Sequence, residues 1–160
     1  MSEVRNSTTG PARLLLVGSS GGHLAQLSAL ESWWRDRERL WVTFRTPDAE
    51  SRLRDEDVRW AYFPTTRSVA NLLRNLVLAF RVIRRNRPDV VVSTGAGVAF
   101  PFFVVARLYR IRTVYLEVYD RLDTPTLTGR LCRPWSTLFC VQWEEQRALY
   151  KNAKVIGPLL

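Results

Sequence analysis

Six short, uninterrupted apolar runs recur along the chain: Leu14 to Val17, Leu40 to Phe44, Trp60 to Phe63, Val90 to Val92, Thr113 to Leu116 and Leu138 to Val141. Runs of this kind, apolar on consecutive rather than alternate residues, mark strands covered on both faces. Stretches of helical spacing fall among them, over Leu24 to Trp34, Asp48 to Arg54, Val69 to Arg85, Val98 to Tyr109 and Glu144 to Tyr150. Strand and helix in alternation imply right-handed crossovers and an open parallel sheet with helices on both sides. The fold expected is therefore α/β, a Rossmann-like doubly wound parallel sheet over residues 13–160, preceded by a disordered segment over 1–12.

Composition agrees with one folded domain. The chain has 160 residues, 46% hydrophobic and 24% charged, and a domain of that length buries roughly 70% of its unfolded surface without a disulfide or metal staple. Cys132 and Cys140 accordingly read as free thiols of a reducing compartment, and no metal-ligand spacing is evident. The first dozen residues lack an apolar signal core, which argues against secretion. The longest uncharged stretch, from Asp89 to Arg107, is interrupted by Gly95, Gly97 and Pro101 and is too short for an ordinary membrane span.

Charge is unevenly placed. From Arg67 to Arg112 there are nine arginines and one acid, a net of +8, while the rest of the chain is close to neutral. Such a segment attracts phosphate, nucleic acid or an anionic membrane. Its phenylalanines fall in apolar helical patterns and are not interleaved for base stacking, which counts against nucleic acid.

Ligands of doubly wound sheets bind beyond the carboxyl ends of the strands. After the first strand comes Gly18-Ser19-Ser20-Gly21-Gly22-His23, where glycines let backbone N–H groups and a helix N-terminus approach an anion. Its spacing is neither the dinucleotide fingerprint nor a Walker loop. His23, the only histidine, is either a helix-starting side chain or a general base. After the fourth strand, Ser93-Thr94-Gly95-Ala96-Gly97 again opens a helix, as a tight turn or a second phosphate-facing loop. After the fifth, Glu117 with Arg121 supplies either a ligand contact or a cap and ion pair. After the third, Pro64-Thr65-Thr66-Arg67 presents an arginine that either meets a phosphate or is solvated.

On a helical wheel, Val69, Leu72, Leu73, Leu76, Val77, Phe80 and Ile83 form the stripe expected to pack on the sheet. Leu78 and Val82 fall off it, beside Arg74, Arg81 and Arg85. With Phe102 and Phe103 of the next helix, this reads either as a patch resting in lipid headgroups or as a solvated face with stray aliphatics.

The glycine loops, Pro64-Thr65-Thr66-Arg67, Glu117 with Arg121, Leu127-Thr128-Gly129-Arg130, Val141-Gln142-Trp143 and Ile156-Gly157-Pro158 occur in one order. That series resembles the acceptor-side subunit of split GT-B glycosyltransferases, namely the anchoring subunit of the dolichol-linked GlcNAc transferase and PssD-type exopolysaccharide subunits. More distantly it is similar to the N-terminal half of MurG. The resemblance implies a non-autonomous inverting transferase subunit, probing a polyprenyl-diphosphate-linked acceptor at the cytoplasmic membrane face as a peripheral protein. It implies no tightly bound cofactor, because a partner polypeptide binds most of the UDP-sugar. His23 or Glu117 would be the base. Ser20, Gly21, Gly22, Arg67, Thr94, Gly95, Gly97 and Arg121 would face acceptor phosphates. Trp143, Leu159 and Leu160 would meet the partner, the chain stopping where MurG would cross into its nucleotide-binding half. The N-terminal spanning helix of the eukaryotic subunit is not expected here, so membrane residence would rest on the basic and aromatic patch. A nucleotide-binding Rossmann module without transferase activity is the alternative.

Overall fold

The computed structural model describes residues 12–160; the expected disordered segment lies, over 1–11, outside the described residues. Seven parallel strands form one sheet: β1 (Leu14–Val17), β2 (Arg39–Phe44), β3 (Val58–Ala61), β4 (Val90–Ser93), β5 (Arg112–Leu116), β6 (Leu138–Val141) and β7 (Lys154–Val155), in the order β3-β2-β1-β4-β5-β6-β7. The Rossmann-like expectation is thus met. The helices are α1 (Gly22–Ala29), α2 (Glu31–Trp34), α3 (Pro47–Arg52), α4 (Val69–Asn86), α5 (Ala99–Leu108) and α6 (Leu127–Cys132).

Central β1 shows why continuous apolar runs are needed. Leu15 and Val17 pack with Ala79, Val82 and Ile83 of α4 and Phe102, Phe103 and Val105 of α5. Leu14 and Leu16 face the other way, onto Leu24 and Leu27 of α1 and Trp34 of α2. Both faces are dry, so neither parity of the strand can be polar.

Four sequence expectations shift. The helix over Leu24 to Trp34 breaks at Leu30, whose N–H bonds back to Leu27 O at 3.2 Å. The third strand starts two residues earlier, at Val58. Glu144 to Tyr150 forms only a 3-10 turn over Glu144–Ala148. Helix α6 and strand β7 carry no signal of their own and were not expected.

The larger correction concerns α4. The stripe expected to face the sheet is largely exposed, with Val69 71%, Leu73 56% and Val77 48% accessible. The buried face carries Asn71, Asn75, Ala79, Val82 and Ile83 instead, a rotation of about a third of a turn. Val82 is therefore core, as are Phe102 and Phe103, and none of the three can belong to a surface patch. Leu78 is half-buried against the same core, and Arg85 points to the opposite end of the sheet beside Arg13 and Asn86.

The cause is backbone hydrogen bonding. The loop after β3 holds a cis Phe63-Pro64 bond and has no strand partner for its polar groups. Asn75 accepts from Tyr62 N and donates to Tyr62 O, both at 2.9 Å, and Asn71 donates to Pro64 O at 2.9 Å. Amides on the inner face outrank apolar surface because an unpaired buried backbone group is costly. Asn75→Ala is expected to lower stability by about 1–3 kcal/mol in urea unfolding, whereas Val69→Ser should change it by less than about 0.5 kcal/mol.

Candidate functional site

The strand order reverses between β1 and β4, and at such a switch point the loops diverge and open a crevice. A cleft of about 350 Å3 lies there, lined by Gly22, His23, Gln26, Ala96, Tyr115, Glu117, Asp120, Arg121 and Thr126 among others.

His23 stands in the first turn of α1 and is half-buried. Its Nδ1 lies 2.8 Å from Thr94 O, and Thr94 Oγ1 donates to His23 O at 2.8 Å. A carbonyl oxygen can only accept, so Nδ1 carries the proton, and in the neutral ring Nε2 is then the free lone pair. Burial pushes the His23 pKa below its ordinary 6.5, against the raising influence of the Thr94 carbonyl and the charges of Glu117 and Asp120. At neutral pH the ring is uncharged, with its basic nitrogen unpaired among the described residues.

Gly95 makes room for that ring. Its φ of +112° suits glycine, and a Cβ there would lie 2.8 Å from Tyr115 OH and 3.2 Å from His23 Cε1.

Glu117 is differently placed. It is fully buried, and its carboxylate accepts from Val118 N at 3.0 Å, from Thr126 Oγ1 at 2.9 and 3.1 Å, and from the Tyr150 hydroxyl. Burial, followed by the adjacent Glu117, raises the Tyr150 pKa and keeps the phenol a donor. Thr126 in turn caps α6 by accepting from Gly129 N at 2.9 Å. The carboxylate thus closes a cluster that anchors the 117–129 wall of the cleft.

The other sequence candidates divide. Gly22 and Arg121 line the cleft, and Thr94 holds His23. The Gly21 N–H donates to Asp48 Oδ2 at 3.0 Å and the Gly95 N–H to Ser93 Oγ at 3.0 Å, so neither points a free N–H at an anion. Ser20 is half-buried outside the lining. Gly97 backs onto Thr65, 2.8 Å from where its Cβ would be, which brings the 64–67 loop against the second glycine turn; Arg67 itself is exposed at φ +55°, outside the lining. The Trp143 indole donates to Tyr119 O at 2.9 Å, Leu159 N donates to Gln142 Oε1 at 3.0 Å, and Leu160 is 67% exposed.

Sequence reasoning gave no site role to Gln26, Asp120, Thr126, Gln142, Gln146 or Tyr150, although Gln142 lies in the Val141-Gln142-Trp143 motif. Gln26, a polar residue 2% exposed among apolar neighbours three positions after His23, carried a legible signal. The rest gain meaning only from contacts made across the fold.

A parallel sheet of this order, with glycine turns ending β1 and β4, is the architecture of the N-terminal domain of GT-B glycosyltransferases. MurG of Acinetobacter baumannii shares it, with a TM-score of 0.75 at 17% identity over 92% of this chain and 46% of that one. The chain belongs to the Alg14-like family of oligosaccharide biosynthesis proteins, whose model matches residues 51–159. Among curated relatives it is 32% identical over 151 residues to the UDP-N-acetylglucosamine–N-acetylmuramyl-(pentapeptide) pyrophosphoryl-undecaprenol N-acetylglucosamine transferase of Symbiobacterium thermophilum, covering 84% of this chain and 39% of the relative. It is 32% identical over 105 residues to the UDP-N-acetylglucosamine transferase subunit ALG14 of Eremothecium gossypii, covering 58% and 47%. The matches span about a quarter to a half of the first relatives' own lengths.

Because the folded His23 ring holds its proton less tightly than an unfolded one, its stabilising contribution is whole above pH 6.5 and is lost as pH falls through the lowered value. The single histidine signal in an NMR titration is expected to have its midpoint below 6.5, and His23→Gln should flatten the fall in urea stability over that interval.

Proposed function

We propose that this chain forms the acceptor-side wall of a two-component, inverting glycosyltransferase, which moves a sugar from a UDP-sugar to a polyprenyl-diphosphate-linked acceptor in polysaccharide biosynthesis. A separate polypeptide binds most of the donor. The observation that carries the reading is the neutral His23 ring, tautomer set by Thr94, with Nε2 free at the cleft. Membership of the Alg14-like family supports it, as do relatives whose names give N-acetylglucosamine transfer and, in one case, a pyrophosphoryl-undecaprenol substrate.

In this reading Nε2 takes the proton of the acceptor hydroxyl as its oxygen bonds to the anomeric carbon and the bond to UDP breaks. The imidazolium formed is stabilised by the Thr94 carbonyl and by Glu117 and Asp120, the same groups that raise its proton affinity. Glu117 is a positioning residue whose bonds are already spent on Thr126, Tyr150 and Val118. The acceptor diphosphate lies by the first N–H groups of α1, at Gly22 and His23, with Arg121 beside it.

Membrane association rests on the outer face of α4. Val69, Leu72, Leu73, Val77 and Phe80 are exposed there and continue into Leu108 and Tyr109, Phe80 and Tyr109 being edge-to-face at 6.4 Å. Arg74 and Arg81 flank a groove of about 330 Å3 in this face, a pattern suited to an anionic interface. No helix of the described residues is long and apolar enough to cross a membrane, and we place the protein peripherally on the cytoplasmic face. Trp143, Leu159 and Leu160 are proposed to meet the donor-binding partner.

In the assembled complex His23→Ala is expected to lower kcat by about 100-fold or more, and the wild-type rate should fall as pH drops below His23's lowered pKa. A wild-type rate in His23→Ala would remove the ring from the chemistry. Leu73→Ser with Val77→Ser and Phe80→Ser is expected to release the protein from anionic vesicles in flotation assays without unfolding it; retention would place the membrane face elsewhere.

A further inference from the structure

Gln142, at the end of β6, is 1% exposed, yet its side-chain amide touches three separate parts of the fold. Its Nε2 donates to Gln26 Oε1 at 2.6 Å and to Glu117 O at 3.0 Å, and its Oε1 accepts from Leu159 N at 3.0 Å. The amide cannot be turned over, because Leu159 N can only donate and Glu117 O can only accept. Both N–H bonds and one oxygen acceptor site are therefore used, and no partner can be exchanged without leaving a buried polar group unpaired.

The parts joined are informative. Gln26 lies on α1 one turn beyond His23. Glu117 begins the opposite wall of the cleft. Leu159 belongs to the segment 156–160, which leaves β7 after Ile156 N bonds to Val141 O at 3.0 Å and exposes Ile156 and Leu160. Gln146 is a second buried glutamine nearby, but its bonds run only to the 142–143 turn and to Val118 O and Arg121 O. Among the described residues, Gln142 is the side chain that bonds both to the helix of the histidine and to the outlying segment.

Helix α1 is short, eight residues, and its polar anchors within the cleft are few: the His23–Thr94 pair at its start and the Gln26–Gln142 bond one turn later. Away from the cleft the helix is held by Gly21 N to Asp48 Oδ2 and by Trp34 Nε1 to Leu27 O, so on its cleft side the setting depends on both the His23–Thr94 and the Gln26–Gln142 contacts. We propose that Gln142 is a positioning residue that couples the seating of segment 156–160 to the setting of the His23 ring in the cleft. A protein that docks on that segment thereby tightens the site. The inference rests on the proposed function only in naming that protein as the donor-binding partner.

The test exploits there being one histidine in the chain, so its ring resonance is unambiguous in the full-length protein. Leu159→Pro keeps an apolar residue but deletes the N–H that Gln142 accepts; Gln142→Met removes all three bonds at nearly constant volume. In both variants the His23 ring signal is expected to shift or broaden, and its titration midpoint to climb toward 6.5. Should Gln142→Met fail to fold, Leu159→Pro decides alone, since it deletes a single hydrogen bond, that of the Leu159 N–H, and leaves the other two bonds of Gln142 in place. In the assembled complex Leu159→Pro should lower kcat by about 10- to 100-fold, as small misplacements of a catalytic group do, with acceptor KM little changed. An unmoved resonance and midpoint in the folded variants would overturn the coupling, whatever the transfer assay gives. Loss of His23's catalytic role in the assay of His23→Ala would instead strike the proposed function, leaving a moved resonance as support for the coupling.

Discussion

The carboxyl edge of the sheet is organised by the two hydrogen bonds that His23 and Thr94 exchange. Each residue gives one bond to the other's backbone carbonyl, so the first turn of α1 is tied to the end of β4 across the switch point. The imidazole is thereby fixed in one tautomer, and the tie also brings it close over Gly95, which must then be glycine. Remove the exchange and the cleft loses its orientation, because α1 offers only Gln26 as another polar hold within it.

A sheet buried on both faces gives its strand ends no water to fall back on. The chain satisfies them with side chains drawn from far along the sequence: Gln142 bridges to Gln26, 116 positions away, and Tyr150 reaches Glu117, 33 positions away. Buried polar clusters are costly unless fully paired, and these are paired at nearly every atom. Their completeness gives the 117–129 wall its shape and leaves His23 Nε2 facing the cleft without a hydrogen-bond partner among the described residues, with the Asp120 carboxylate in the same lining. Electrostatics act in the same direction. Burial keeps the ring neutral, while Glu117 and Asp120 lie close enough to favour the imidazolium once a proton arrives.

Helix α4 shows how a periodic pattern can mislead. Its apolar stripe is as regular as any core-facing helix, and amphipathicity names the stripe without naming what it faces. The decision belongs to Asn71 and Asn75, which must turn inward to serve Tyr62 and Pro64. With those amides inside, Val69, Leu73 and Val77 are left outside, ringed by Arg74 and Arg81. The apolar and basic surface read in the sequence is therefore present, but built from residues that the wheel had assigned to the core.

From its sequence alone the chain determined the number and direction of the central strands, since only continuous apolar runs survive burial on both sides, and it placed the glycine turns, His23 and Glu117 at strand ends. Covalent order is enough for that, because the patterns are local. What tertiary structure decided is everything that depends on a partner distant in sequence. It separated His23 from Glu117 by saturating the carboxylate, engaged Gly21 and Gly95 N–H groups with Asp48 and Ser93, sank Phe102 and Phe103, and turned α4. A hydrogen bond's worth is set by whether its donor and acceptor are otherwise unsatisfied, and that accounting exists only once the chain has closed on itself.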